Sequence, residues 1–204
     1  MKTAIKSLIS GVLTLVVLTG SAMVSKADDN KTVTVLSEVK KVKKINVSGN
    51  VELILVHSEN ESVNVYDSYY AKNALVQQKD GELRIASYDN QTLQVVVYVS
   101  NLSELTASEN ARVKTFGKFS SVDLSIILKD NAVADLNTNT ISLSTNINDK
   151  ATLSLTGSTL DYNAVMSNTS NVATVNFVAE NSNIRSKSAP VEKLTKDLSV
   201  AFAE

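Results

Sequence analysis

The chain has no cysteine and no tryptophan, and only one proline, one histidine and six glycines among its 204 residues. Without cysteine there is no disulfide framework, no thiolate metal site, no cysteine nucleophile and no lipid-anchored cysteine. A single histidine, His57, allows one imidazole at most, and no G-x-S-x-G elbow offers it a serine partner, so a Ser-His-Asp site has no support. Within HSENES, His57 reads as a turn residue. The three arginines, Arg84, Arg112 and Arg185, are dispersed and mark no catalytic base. Glycine-rich phosphate loops and metal-spaced histidines are missing as well. The net charge is −1 with no long basic run, which argues against nucleic acid or an anionic membrane surface as a constitutive partner.

What is plentiful is Val, Ser, Thr and Asn, the composition of β-strands and polar corners. The chain opens with Lys2 and Lys6, an apolar run from Leu8 to Leu18, and small residues ending at Ser25, Lys26, Ala27. That order is a secretory leader, and the apolar run is too short to span a bilayer. Residues 1–27 are therefore expected to be a signal peptide that is removed.

From about Ser103 to Thr174 apolar residues return every nineteen positions. The sets are Val122, Ile141, Leu160; Leu124, Leu143, Tyr162; Ile126, Thr145, Ala164; and Leu128, Ile147, Met166. Within each copy the spacing is two, which is the period of a strand face. Polar corners follow at KDN 129–131, NDK 148–150 and SNT 167–169, and then Ala132, Ala134, Leu136 and their counterparts at 151–155 and 170–174. Such units cannot bury an apolar edge alone, but stacked copies share one core. The expected fold is all-β, a short parallel β-solenoid with an N-terminal β-strand cap; an evenly spaced antiparallel meander is the alternative.

Residues 28–43 read as an arm or first strand, with Lys40, Lys41, Lys43 and Lys44 as a solvated strand edge that blocks edge pairing. Strands follow at INVSGNVELILV, VNVYDS, GELRIAS and TLQVVVYVS. Between them, YYAKNALVQQKD fits a helical turn or a looped strand. After Val175 the pattern loosens, with Phe177 and Ile184 as inward residues. Residues 187–204 form a tail whose LSVAF segment suits a capping strand over the last coil.

The order KINVSGNVELILVHSENESVNVYDS, KDGELRIAS, LQVVVYVSNLSELTASENARVKTFG, then stacked coils, resembles the secreted "auto-transporter adhesin, head GIN domain" family of Bacteroidetes-type bacteria. The resemblance covers about residues 44–186. It implies a single-domain β-solenoid with an N-terminal β segment and an adhesive role, and it supplies no catalytic residues. Members carry Gly-Ser-Gly at their corners; here only SGN at 48–50 and TGS at 156–158 are similar, and Asn, Asp and Lys fill the other corners.

Two groups of side chains merit testing as sites. Asp130 and Asp149 occupy equivalent corners and would stack within about 5 Å, a spacing suited to calcium. Asn168 stands where a third acid would be needed and Lys129 and Lys150 flank the pair, so solvated corner residues are the favoured reading and no metal or cofactor is expected. Tyr66, Tyr69 and Tyr70, with Tyr88 nearby, offer amphipathic area for a partner or a cap for the core. The reading is thus a non-enzymatic, exported interaction or adhesin-like module for polysaccharide or protein, destined for the periplasm, cell surface or medium. The alternatives are a lyase-like polysaccharide-processing enzyme and a self-associating envelope protein. Mass spectrometry of exported protein should find a new N-terminus near Ala27; an intact Met1 overturns the leader.

Overall fold

A computed structural model describes residues 24–26, 32–36, 39–66, 74–87 and 89–187. Their β-branched, alternating sequence folds into strands throughout. In chain order these are Val24–Lys26 (β1), Thr32–Leu36 (β2), Lys44–Gly49 (β3), Val51–His57 (β4), Ser62–Tyr66 (β5), Ala74–Lys79 (β6), Glu82–Ser87 (β7) and Leu93–Val99 (β8). Then come Glu104–Ala107 (β9), Arg112–Phe116 (β10), Phe119–Leu128 (β11), Val133–Ile147 (β12), Thr152–Ser167 (β13), Asn171–Ala173 (β14) and Phe177–Lys187 (β15).

All fifteen join one sheet that curls on itself as a half-barrel. One flank runs β6-β7-β3-β9 and continues through the later parts of β11, β12 and β13 to β15. The opposite flank runs β1-β2-β5-β8-β4-β10 and continues through the first parts of β12 and β13 to β14. A short third side is made by Phe119–Ser121, Thr138–Thr140, Gly157–Thr159 and Phe177–Ala179. The all-β expectation holds, but the sheet is mixed. β1 with β2, β2 with β5, β5 with β8, and β6 with β7 are antiparallel, and every other pairing is parallel. β6 and β7 are joined by a tight turn as a hairpin, whereas β2–β5 and β5–β8 pair strands that are distant in sequence, and the later corners only turn the chain around the core.

The nineteen-residue register appears as expected. Leu124 pairs with Leu143 and Leu143 with Tyr162, while Ser125, Ser144 and Asn163 form the adjacent column. The leucines and tyrosine are buried and Ser144 is exposed. The register lengthens at the last coil, where Ala164 pairs with Ile184, and at the first of the long strands, where Leu105 pairs with Ile126. Burial lifts the Tyr162 phenol above its ordinary pKa, and its hydrogen bond with Thr145 Oγ1 at 3.1 Å opposes that rise.

One set of expected core residues is on the outside. Val122, Ile141 and Leu160 are 56%, 50% and 43% exposed. The ladder skips Val122 opposite Ile141, although Ser121↔Thr140 and Asp123↔Ser142 pair on either side. Each long strand turns a corner there, two successive residues lie outside the core, and inward positions change parity. Thr140 and Thr159 therefore point in, where their hydroxyls bond each other at 2.9 Å. Ile184 is also exposed, at 57%, because β15 is the last described strand and none of the described residues forms a coil over it. Phe177 is half-buried and meets Tyr162 edge-on, with ring centroids 5.2 Å apart.

In the N-terminal half, Ala74–Lys79 of the ambiguous segment is strand β6. Lys40, Lys41 and Lys43 are in a connection rather than on a strand edge, and Lys44 begins β3, an interior strand between β7 and β9. Part of the expected arm is strand β2, and Val24–Lys26, inside the expected leader, pairs with β2 at the sheet's outer edge. The LSVAF segment lies outside the described residues.

The two glycine corners have a common cause. Gly49 and Gly157 have φ of +78° and +100°, and an added Cβ would collide with the carbonyl oxygens of Ser87 and Thr138 respectively. Leu143→Ala should cost about 2–5 kcal/mol by lost burial and a residual cavity, whereas Ser144→Asp should stay within about 0.5 kcal/mol. Chemical denaturation measures both. Cysteines at positions 125 and 144 should form a disulfide, since parallel neighbours are about 5 Å apart; equal tolerance at 143 and 144 with no crosslink would overturn the register.

Candidate functional site

Strands β8 and β4 read LQVVVYV and VELILVH, with apolar residues on both parities rather than one. Leu93, Val95, Val97, Val51, Leu53 and Leu55 fill the core. The other parity faces out. The ladder aligns Tyr98 beside Val56 and Val56 beside Phe116, forming one row across β8, β4 and β10. Val96 and Ile54 lie side by side in the next row, followed by Gln94 and Glu52. Tyr66 pairs with Gln94 on one side and Val33 on the other, so it closes the same surface at β5. Phe116 is 75% exposed.

This flat face mixes apolar area with fixed charge. Lys114 Nζ donates to Glu52 Oε1 at 2.6 Å, and Gln94 Nε2 donates to Glu52 Oε2 at 3.2 Å. The Lys114 hydrogen bond chiefly holds the Glu52 carboxyl below its ordinary pKa, against a smaller opposing effect of burial. Glu52 thus stays ionised beside the aromatic row, with both oxygens occupied. Such a surface binds by area and hydrogen bonding.

Of the tyrosines expected at a contact surface, Tyr66 lies on this face, while Tyr69, Tyr70 and Tyr88 lie outside the described residues. Tyr98 and Phe116 were not singled out by sequence. The available signal was the run of apolar residues at both parities of β4 and β8, which a one-sided strand does not need.

The opposite flank is different in kind. Its outer row alternates Lys79, Glu82, Lys44 and Glu104 across four neighbouring strands. Lys44 reaches Glu104 at 3.4 Å, and Arg84 bonds Glu82 at 2.8 Å, which lowers the Glu82 pKa. These exposed pairs set strand order more than they add stability.

The corner acids have a structural task. Glu109, Asp130 and Asp149 have φ of 59°, 57° and 55°, the left-handed region in which Asp is tolerated. The Glu109 N–H donates to Asp130 Oδ2 at 2.9 Å, and the Asp130 N–H donates to Asp149 Oδ2 at 3.1 Å. Each aspartate therefore caps the corner of the coil before it. Among the described residues no cluster of three or more acidic, His or Cys side chains has a metal-binding arrangement. His57 packs edge-on against Phe119, centroids 5.5 Å apart, as a lid on the third side.

The described strands form an all-β stack with flat, differentiated outer faces. The chain belongs to the family described as "Putative auto-transporter adhesin, head GIN domain", whose model matches residues 42–194. Among solved structures it is similar to a putative adhesin from Bacteroides fragilis, at 14% identity, TM-score 0.68, covering 80% of this chain and 78% of that one. A putative adhesin from Parabacteroides distasonis matches at 14% identity and TM-score 0.57, covering 78% and 79%. A protein of the same organism described as lipid-binding matches at 11% identity and TM-score 0.56, over 78% and 79%. A search of curated proteins finds no significant match. At these identities the solved structures establish the fold alone.

Asp149→Ala should lower stability by about 1–2 kcal/mol, through the lost charged acceptor and a left-handed backbone that alanine disfavours. Asp149→Asn should retain most of it. EDTA should leave the melting temperature unchanged; a fall restored by calcium would assign the corners to metal.

Proposed function

We propose that the protein is an exported, non-enzymatic adhesin-type module. In this reading it is a short β-solenoid with an N-terminal β cap that holds a polysaccharide or protein partner at the periplasmic face, cell surface or outside the cell. The observation that carries the reading is the outward row Tyr98, Val56, Phe116, with Ile54, Val96 and Tyr66 around it, on a face stiffened by strand pairing on both sides. Aromatic area on rigid backbone binds with little ordering cost. Family membership supports adhesion as the role. The polar groups that might suggest catalysis have other work: His57 packs on Phe119, and the corner aspartates cap backbone.

A second reading, self-association, has one observation in its favour. β15 pairs with β13 alone among the described strands, and Val178 and Ile184 on it are 64% and 57% exposed. A concentration-dependent rise in sedimentation coefficient, abolished by Ile184→Lys, would select it.

For the principal reading, Tyr98→Ala combined with Phe116→Ala should reduce attachment to extracted envelope glycans or surface proteins at least tenfold. Denaturation midpoints should barely move, because both side chains face outward. Undiminished attachment by a folded double variant would sink this face as the contact surface.

A further inference from the structure

The third side of the molecule carries a second surface, which begins at the connections before β3, between β4 and β5, and between β8 and β9. Near its N-terminal end, Lys40, Lys41 and Lys43 line a groove of about 710 Å³ with Asn60, Ser100 and Asn101. Ser100 and Asn101 also line the next groove, about 460 Å³, which continues over Ser121, Val122, Asn139 and Ile141. The two depressions share a wall and run from coil to coil. Leu160 extends the exposed Val122–Ile141 ladder by one more coil.

The backbone that carries the lysines is held in place, and their side chains are exposed. Lys41 has φ of 57°, a conformation that costs energy for a residue with a Cβ. Its neighbours are tied down. The Lys40 N–H donates to Gln78 Oε1 at 3.3 Å, and the Lys43 and Lys44 N–H groups both donate to the Gly81 carbonyl, at 2.8 and 3.1 Å. Glu61 fixes the middle: Oε2 accepts from the Val42 N–H at 3.2 Å and Oε1 from Ser100 Oγ at 3.1 Å. Among the described residues none of Lys40, Lys41 and Lys43 forms a salt bridge. Two acids, Glu59 and Glu61, also line the groove, and Glu61 has both oxygens engaged by the protein itself.

Beyond the lysines the groove repeats. Ser120 pairs with Asn139 and Asn139 with Ser158, and Ser158 Oγ donates to Asn139 Oδ1 at 3.0 Å. Coils are about 4.8 Å apart, so hydroxyls, amides and the aliphatic Val122, Ile141 and Leu160 recur at a fixed step. A regular row of small polar groups beside aliphatic side chains matches a linear polymer that repeats its own hydroxyls and C–H faces. Three lysines on a fixed backbone against two acids suit a chain with carboxylates at intervals, not one of dense charge.

We propose that this composite groove binds an acidic polysaccharide, a uronate-bearing chain lying along the stack axis. Its carboxylates meet Lys40, Lys41 and Lys43, and its rings lie over the Val122–Ile141–Leu160 ladder. The inference extends the interaction reading but uses a different surface, so the two fail separately.

The test is affinity electrophoresis and calorimetry of the whole protein with alginate, polygalacturonate, dextran and poly-L-glutamate. At least one polyuronate should bind, weakening as salt rises, and dextran should not. Lys41→Glu with Lys43→Glu should weaken that binding at least tenfold, Ile141→Asp should weaken it too, and Tyr98→Ala with Phe116→Ala should leave it unchanged. Circular dichroism confirms that each variant is folded. Absence of binding to both polyuronates, equal binding of poly-L-glutamate, or indifference of folded variants to charge reversal would each overturn the proposal.

Discussion

Everything in this molecule depends on side chains stacking on their own counterparts. A parallel ladder forces each residue to lie beside the one a coil away, so an inward column must be filled jointly by neighbouring copies, as Ala134 is beside Leu153. Leu124, Leu143 and Tyr162 satisfy this at one column, and Ala132 and Ala151 at another. Where the column cannot be apolar, as at Thr140 and Thr159, the two hydroxyls pair with each other. The corners obey the same logic with backbone in place of side chains. Gly49 and Gly157 admit a neighbouring carbonyl, and Asp130 and Asp149 supply acceptors to the preceding turn.

Because the interior is fully committed to this stacking, function is left to the outside, and the outside is not uniform. One flank carries alternating Lys and Glu in exposed pairs. The other presents Tyr98, Val56 and Phe116 next to an ionised Glu52. The third side has lysines on a fixed backbone leading into a ladder of aliphatic and hydroxyl groups. Among the described residues the stack offers long, flat or shallow surfaces.

The repeat was legible because nineteen-residue spacing survives substitution: Tyr162 and Thr145 still fall in register with leucine and isoleucine. The parity change at Val122, Ile141 and Leu160 was not legible, since a corner made at the same place in every coil preserves the repeat while reversing which residues face in. The mixed orientation of the N-terminal half was hidden for a related reason. Alternation specifies a strand and its buried face but carries no sign for direction. The outward row was partly visible in the apolar residues at both parities of β4 and β8, yet Phe116 joins it only through pairing across a separation of sixty positions, Val56 to Phe116. The lysine cluster was visible as charge, and only the fold reveals that it borders a groove.

The placement of β3 and β4 has a further consequence. They lie between β7–β8, which come later in the chain, and β9–β10, which come later still. The first coil to be synthesised is therefore an interior one, with both neighbours yet to emerge. Its partners on one side, such as Val113 for Leu53, are sixty residues downstream. Closing such loops costs entropy before any contact rewards it, which places this chain among slow folders of high contact order. Until residue 116 has appeared, the β4 edge has no native partner on that side and the N-terminal half stays open. A chain built this way leaves the β4 edge without its β10 partner through more than half of its own synthesis.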